Sequence, residues 1–160
     1  MNFDDSFTRL LGSEGGFVDD PRDKGGATCW GVTEAVARVN GYTGAMRDLP
    51  QDTAKEIYRA RYWTPIRADE LPDSVRFDAF DAAVNSGVRT AIMWLQASVG
   101  VAVDGALGPK TLAAVNAAGP MAAARFNGAR LDAMTNMSGW PTYSRGWARR
   151  VAANLMQMGA

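Results

Sequence analysis

The sequence predicts a mainly helical fold with at most a short β-hairpin after the first helix. Apolar residues recur every three or four positions along most of the chain, which is the period of an amphipathic helix. Prolines and glycines stand where these patterns start and stop. Strand-prone residues flank a turn at Phe17-Val18 and Thr28-Cys29-Trp30. A chain of 160 residues is long enough for one domain with a core.

Most predicted helices have a boundary signal of their own. The apolar face of the first helix carries Glu14 at its C-terminal edge. Thr33 and Thr90 are placed to cap the second and fifth helices, and Pro109 stands in the first turn of the sixth. The segment Ser138-Gly139-Trp140-Pro141 is predicted to interrupt the pattern before the last helix. The predicted helices cover about residues 4–13, 33–39, 50–63, 73–86, 90–99, 109–115, 120–137 and 144–158.

Two patterns concern the inside of the helical core. On the fourth helix, Asp78 and Asp81 form a polar stripe and are expected to be buried partners of arginines or helix caps rather than catalysts. Large aromatic residues dominate small cores, so Trp140 and Trp147 are expected in the core. The last helix is predicted to turn inward Trp147, Val151, Leu155 and Met158.

Composition excludes several classes of function. The formal net charge is zero, which argues against strong non-specific binding of nucleic acid. No apolar run approaches the roughly 18 residues of a membrane span, and the N-terminus has no secretory signal pattern. Cys29 is the only cysteine, so no internal disulfide forms. We therefore expect a protein that is made in a reducing compartment or at least does not depend on oxidation, and that does not associate with membranes.

The absence of histidine narrows the chemistry further. Catalytic triads that need histidine are excluded, and a zinc-dependent hydrolase lacks its usual imidazole ligands. We expect no metal and no cofactor. Proton transfer near neutral pH then falls to carboxylates with shifted pKa values.

The glycine-rich segment 12–33 holds the candidate carboxylates. Glu14 leaves an apolar helix face, and partial desolvation there would raise its pKa. Asp19, Asp20 and Asp23 follow in a polar loop. Such loops are common places for chemistry. The alternative is a solvated turn whose aspartates cap backbone groups.

The same segment resembles glycoside hydrolase family 108, the family of phage endolysins and related N-acetylmuramidases. The resemblance lies in the runs EGGF at 14–17, DPRDKGGAT at 20–28 and WGVT at 30–33, and in FDAFDAAVNSG at 77–87. The run DGALGPKT at 104–111 resembles the predicted peptidoglycan-binding part of that family. Phe17 departs from the tyrosine that is usual there. The resemblance implies a lysozyme-like fold, with a catalytic region over 1–92 and a peptidoglycan-binding region over 93–160 packed onto it as one compact unit.

Hydrolysis of a glycosidic bond needs an acid and a second carboxylate. Glu14 is the better acid, and Asp23, nine residues later in a polar loop, should stay ionised. Asp19 and Asp20 are rivals for the second role. Thr28 carries a hydroxyl that can position water. The Glu, Asp and Thr order also resembles phage lysozymes, which favours an inverting reaction.

The glycan should lie in a cleft lined by aromatic and short polar side chains. The candidates are Trp30, Tyr42, Tyr62, Trp63 and Asn85. For each aromatic residue, packing in the core is an equal alternative.

Three classes of function stay open. The resemblance implies a lysozyme-type muramidase that cleaves the β-1,4 bond between N-acetylmuramic acid and N-acetylglucosamine and lyses the bacterial host. A lytic transglycosylase or a non-catalytic wall-binding or secretion-related module are the alternatives. The implied partner is the glycan strand of bacterial peptidoglycan, with no nucleic acid or membrane partner. We expect a monomer that accumulates in the host cytoplasm before release to the periplasm and cell wall.

Overall fold

A computed structural model describes residues 1–12, 16–19 and 26–157. Within them the chain forms eight α-helices and one small antiparallel sheet, so the predicted mainly helical class is confirmed. The strands are β1 (Phe17–Val18), β2 (Thr28–Cys29) and β3 (Val32–Thr33). The helices are α1 (Phe3–Leu11), α2 (Glu34–Val39), α3 (Gln51–Tyr58), α4 (Asp73–Ser86), α5 (Val88–Ser98), α6 (Pro109–Ala117), α7 (Ala122–Thr135) and α8 (Trp140–Met156).

Short helical turns complete the architecture. A π-helical turn, Arg59–Trp63, continues α3, and 3₁₀ turns lie at Met46–Asp48, Ala68–Glu70 and Gly119–Met121. No helix of the described residues is long and apolar enough to cross a membrane.

The sheet has the order β1-β2-β3 and thus one strand more than the predicted hairpin. Thr33 pairs with Thr28 in the sheet, and its side chain also accepts a hydrogen bond from the Val36 N–H at the start of α2. The sequence showed only the cap, because a strand of two residues leaves almost no periodic signal.

The chain divides into two compact units, which are described separately. The first comprises residues 2–61. Phe7 is fully buried in this unit and meets Tyr58 edge-on, with ring centroids 5.2 Å apart. The Lys55 ammonium lies 2.7 Å from Asp4, which joins α3 to α1 on the surface.

The second unit begins at Tyr62 and includes Met1. Helices α4, α5, α7 and α8 pack around one core, in which α4 contributes eight buried residues out of fourteen. Phe80, Leu95, Phe126 and Val151 bring one apolar side chain from each of the four helices into it.

The structure corrects two predicted helix starts and one predicted burial. Helix α8 starts at Trp140 with Pro141 in its first turn, because a proline there removes an N–H that has no helical partner anyway. Helix α5 begins at Val88 after Gly87, so Thr90 does not cap it. In α8, Val151 is buried as predicted, but Leu155 is exposed and Met158 lies outside the described residues.

The predicted loop between α5 and α6 is fixed by one side chain. Gln96 is buried, and its Oε1 accepts the Gly105 N–H at 2.9 Å. Its Nε2 donates to Asp104 Oδ1 at 2.7 Å and to the Ala106 carbonyl at 3.0 Å. The Ala106 N–H and the Gln96 amide lower the pKa of Asp104.

Gln96→Leu is therefore expected to lower the free energy of unfolding by about 1–3 kcal/mol, since it leaves loop groups without partners. Urea unfolding measures this loss, and the exposed Gln51→Leu serves as the matched control. The pKa of Asp104, followed by NMR, should rise toward its ordinary value in Gln96→Leu. An unchanged pKa would show that Gln96 does not hold this loop.

Candidate functional site

Of the three predicted catalytic residues, the structure describes Thr28. Thr28 lies in β2, where it is half-buried and pairs with Val18 and Thr33. Glu14 and Asp23 lie outside the described residues, as does Asp20. Along the chain, Glu14 comes between α1 and β1, and Asp23 comes between β1 and β2. Asp19, the remaining rival for the second carboxylate, is exposed directly after β1.

The turn after Thr28 holds Trp30 in a strained conformation. Trp30 and Gly31 connect β2 to β3 with φ values of 52° and 71°, the signs required by a two-residue type I′ hairpin. A positive φ is uncommon for a bulky residue and persists where its surroundings enforce it. The indole N–H of Trp30 donates to the Leu49 carbonyl at 2.8 Å. The half-buried Trp30 ring is thus held two residues from Thr28.

Gly31 is required in this turn for a second reason. A Cβ atom there would lie 2.5 Å from the hydroxyl oxygen of Tyr58. We expect Gly31→Ala to lower the free energy of unfolding by about 1–3 kcal/mol more than Gly26→Ala. Gly26 is a matched control, because its φ is also 71° but no atom of the described residues lies within 4 Å of its Cβ position. Equal losses in thermal unfolding of the two variants would mean that the Tyr58 contact has no cost.

Tyr42 is held by hydrogen bonds at its side-chain hydroxyl and at its backbone carbonyl. Its hydroxyl donates to the Ala45 carbonyl at 2.9 Å, and Arg38 Nη1 donates to the Tyr42 carbonyl at 2.9 Å. The Arg38 guanidinium also lies 6.0 Å from the centre of the half-buried ring. The ring of Tyr42 is therefore preorganised for contact.

Tyr62, Trp63 and Asn85 belong to the second unit. Trp63 is fully buried, with its indole N–H donating to Asp69 Oδ1 at 3.0 Å and its ring edge-on to Phe80. This burial favours the packing alternative over sugar contact for Trp63. Tyr62 is half-buried, so part of its side chain stays open to solvent.

Asn85 is exposed and is oriented by Asp81 from one turn earlier in α4. Its Nδ2 donates to the Asp81 carbonyl at 2.7 Å and to Asp81 Oδ1 at 3.1 Å. Because the residue is exposed, Asn85 stays a candidate for substrate contact.

Asp81 is the centre of a buried charge cluster. Arg130 Nη1 lies 2.7 Å from Asp81 Oδ2, and Arg150 Nη1 lies 2.6 Å from Oδ1. Asn154 donates to the same carboxylate at 3.3 Å. The prediction that Asp81 is a buried partner of arginines is confirmed. Asp78, also buried, accepts a hydrogen bond from Asn127 at 3.0 Å.

In the described residues, no three histidine, cysteine, aspartate or glutamate side chains are grouped as metal ligands would be. The described part of the candidate site is a threonine and a fixed tryptophan at one end of a small sheet. The candidate carboxylates Glu14 and Asp23 precede both residues in the sequence.

Comparison with known proteins decides the family. The protein-family model described as Glycosyl hydrolase 108 matches residues 7–87. The chain belongs to glycosyl hydrolase family 108. A second model, described as Predicted Peptidoglycan domain, matches residues 90–152. Together the two matches identify a glycoside hydrolase that acts on peptidoglycan.

A solved structure supports the family assignment over the whole chain. The structure of Brucella abortus SagA is 34% identical in sequence, with a TM-score of 0.81. The alignment covers 98% of this chain and 92% of that one. Among curated proteins, none matches the chain.

The two family matches meet between residues 87 and 90, inside the second compact unit. The division of catalysis and wall binding at residues 92 and 93 stays a prediction. Within the second unit, α5 and α7 pack against α4.

Phe17 of this family 108 hydrolase is a further aromatic residue that was not among the predicted substrate contacts. It lies in β1 opposite Cys29, is 38% exposed, and has the Arg47 guanidinium 5.6 Å from its ring centre. The sequence signal for it was an aromatic residue in a strand-prone segment directly after Glu14-Gly15-Gly16. Phe17 therefore joins the candidates for substrate contact.

Proposed function

We propose that this peptidoglycan hydrolase is an N-acetylmuramidase. It cleaves the β-1,4 bond between N-acetylmuramic acid and N-acetylglucosamine, with Glu14 as general acid and with Asp23 and Thr28 positioning water. The observation that carries the proposal is the family match over residues 7–87, which spans all three residues. A chain without histidine has carboxylates as its natural acid and base.

The surroundings of Thr28 are consistent with a role in holding water. Its half-buried side chain lies on a sheet whose register is fixed on both sides by β1 and β3. Trp30 and Tyr42 in the same unit present partly open, anchored rings, and Tyr62 and Asn85 are the corresponding candidates in the second unit. Aromatic faces and short polar groups are what sugar rings require.

The decisive experiment is mass spectrometry of peptidoglycan digested by the purified protein. Reducing muramic ends are expected. Anhydro-muramic ends would identify a lytic transglycosylase instead, and an undigested wall would identify a non-catalytic binding module.

We further propose that the reaction inverts the anomeric configuration. An inverting pair needs about 6.5–9.5 Å between its carboxyl groups to admit water, whereas a retaining pair needs only about 5–5.5 Å. Glu14 and Asp23 are separated in sequence by a glycine- and proline-containing loop, so they are not neighbours on one helix. Proton NMR of the newly released end should show the α anomer first. Initial release of the β anomer would exclude inversion.

The biological role that we propose is that of an endolysin, which reaches the wall after the membrane has been opened. Expression of the protein alone in a Gram-negative cell should then leave the culture intact until the membrane is permeabilised. Prompt lysis without permeabilisation would contradict this role.

A further inference from the structure

Three aromatic residues form a line on one face of α8. Trp140, Tyr143 and Trp147 are spaced by three and four positions, which places them on the same side of the helix. The ring centres of Trp140 and Trp147 are 6.2 Å apart, and those of Tyr143 and Trp147 are 5.9 Å apart. We call these three residues the α8 aromatic stripe.

The stripe lies on the same face of α8 as the buried residues near the C-terminal end of the helix, but it is itself only partly buried. Val151 and Asn154, on the same helical face, are buried. From residue 140 to residue 150, in contrast, no side chain of α8 is buried. Tyr143 is 59% exposed and both tryptophans are half-buried. Contiguous partly exposed aromatic rings favour an interaction site more than single exposed apolar residues do.

The stripe is also preformed. Gly139 lies against it, and a Cβ atom on that residue would come within 3.1 Å of the Trp147 ring and 3.2 Å of the Tyr143 ring. The absence of a side chain at Gly139 lets the rings pack on the backbone at the start of α8. Rings that are already ordered lose less conformational entropy when a ligand binds.

A positive charge stands at the C-terminal end of the stripe. Arg150 is three residues after Trp147 and 44% exposed, and its Nη1 is fixed by the buried Asp81. No described residue accepts a hydrogen bond from its Nε or Nη2. Because Arg130 shares the same carboxylate, the cluster keeps a net positive charge. Arg150 therefore has N–H groups available for an external carboxylate.

The charge around the stripe also favours an anionic ligand. Helix α8 contains three arginines and no acidic residue. The segment 90–152 has six basic and two acidic residues, although the whole chain is neutral. A second copy of the chain is a poor occupant, since a two-fold contact through this face would bring the arginines of both copies together.

We propose that the α8 aromatic stripe and Arg150 form a binding site for the peptidoglycan glycan strand, additional to the groups that cleave it. The apolar face of a pyranose ring packs on Tyr143 and Trp147, and a carboxylate of the muramyl peptide pairs with Arg150. This inference rests on peptidoglycan as the substrate and assigns a site within the segment that matches the predicted peptidoglycan domain. Trp and Tyr with an adjacent Arg are also the residues that most often dominate binding energy at interfaces.

The test measures binding of full-length Glu14→Gln protein to insoluble peptidoglycan sacculi by co-sedimentation. Tyr143→Ala is expected to weaken binding at least about fivefold, because Tyr143 is exposed and its removal takes away ring contact. Tyr143→Phe keeps the ring and should restore most of the affinity. Arg150→Gln should weaken binding and reduce its salt dependence, whereas Arg125→Gln on the exposed surface of α7 is the charge-matched control.

Unchanged binding of both Tyr143→Ala and Arg150→Gln, with melting temperatures that show folded proteins, would overturn the site. So would a dimer in light scattering that dissociates in Tyr143→Ala, since the stripe would then be occupied by a second copy. The outcome is separable from that of the muramidase proposal. Reducing muramic ends in wild-type digests together with unchanged sacculus binding would reject this site alone. Loss of binding in Tyr143→Ala without such ends would reject the muramidase alone.

Discussion

Glu14→Gln is expected to lower the rate of peptidoglycan hydrolysis by about 10²–10⁴-fold, the usual contribution of general acid catalysis. Glutamine keeps the size and polarity of the side chain but has no proton to give to the leaving oxygen. With no histidine in the chain, no imidazole can take over the role. The rate is measured as release of reducing ends from purified sacculi, with thermal unfolding as the check that the variant is folded.

Glu56→Gln is the matched control for this prediction. Glu56 is exposed on α3 of the same unit, so the same chemical change there should leave the rate near that of the wild type. Near-wild-type turnover by a folded Glu14→Gln protein would remove Glu14 from the mechanism. Parallel variants Asp19→Asn and Asp23→Asn then separate the rivals for the second carboxylate, with the larger loss expected in Asp23→Asn.

Helices were predictable because their signals are local and repeated. Helix α4 occupies residues 73–86 as its apolar period indicates, and Thr33 caps α2 as its position before Glu34 indicates. Predicted helix boundaries were wrong where one residue type is compatible with two positions relative to a helix. Pro141 ends a helix pattern if it is interior but is accommodated in a first turn, and only the tertiary position of α8 decides between the two.

The candidate site shows the same limit for side chains. Burial of Asp81 was predictable, since a carboxylate on a stripe beside apolar residues needs a buried partner. Its partners Arg130 and Arg150 lie 49 and 69 residues after Asp81 in the sequence, on α7 and α8. No local sequence pattern predicts pairings over such separations. Trp63 and Trp147 have the same residue type, yet one is buried and one is half-open, because burial depends on which neighbouring element covers each ring.

The largest loss of stability is expected for Asp81→Asn. Arg130 is fully buried, and Asp81 is the only carboxylate paired with it among the described residues. The Nε and Nη2 atoms of Arg130 have no hydrogen-bond partner among the described residues. Asparagine removes the countercharge and leaves a buried guanidinium uncompensated, which costs about 3–5 kcal/mol. The free energy of unfolding of a native protein is only about 5–15 kcal/mol. The urea concentration at the midpoint of unfolding should therefore fall strongly in Asp81→Asn.

Two further variants show that the unpaired charge is the cause. Asp73→Asn makes the same change in a carboxylate that is 71% exposed and paired with Arg76 and the N-terminus, so it should cost less than about 1 kcal/mol. Adding Arg130→Met to Asp81→Asn removes the buried charge as well. Arg150 is partly exposed and can be hydrated, so the double variant should be more stable than Asp81→Asn alone. The Arg130 guanidinium also lies 5.8 Å from the centre of the Trp94 ring, so its packing contributes to the core. A double variant less stable than Asp81→Asn would mean that this packing stabilises the protein more than the unpaired charge destabilises it.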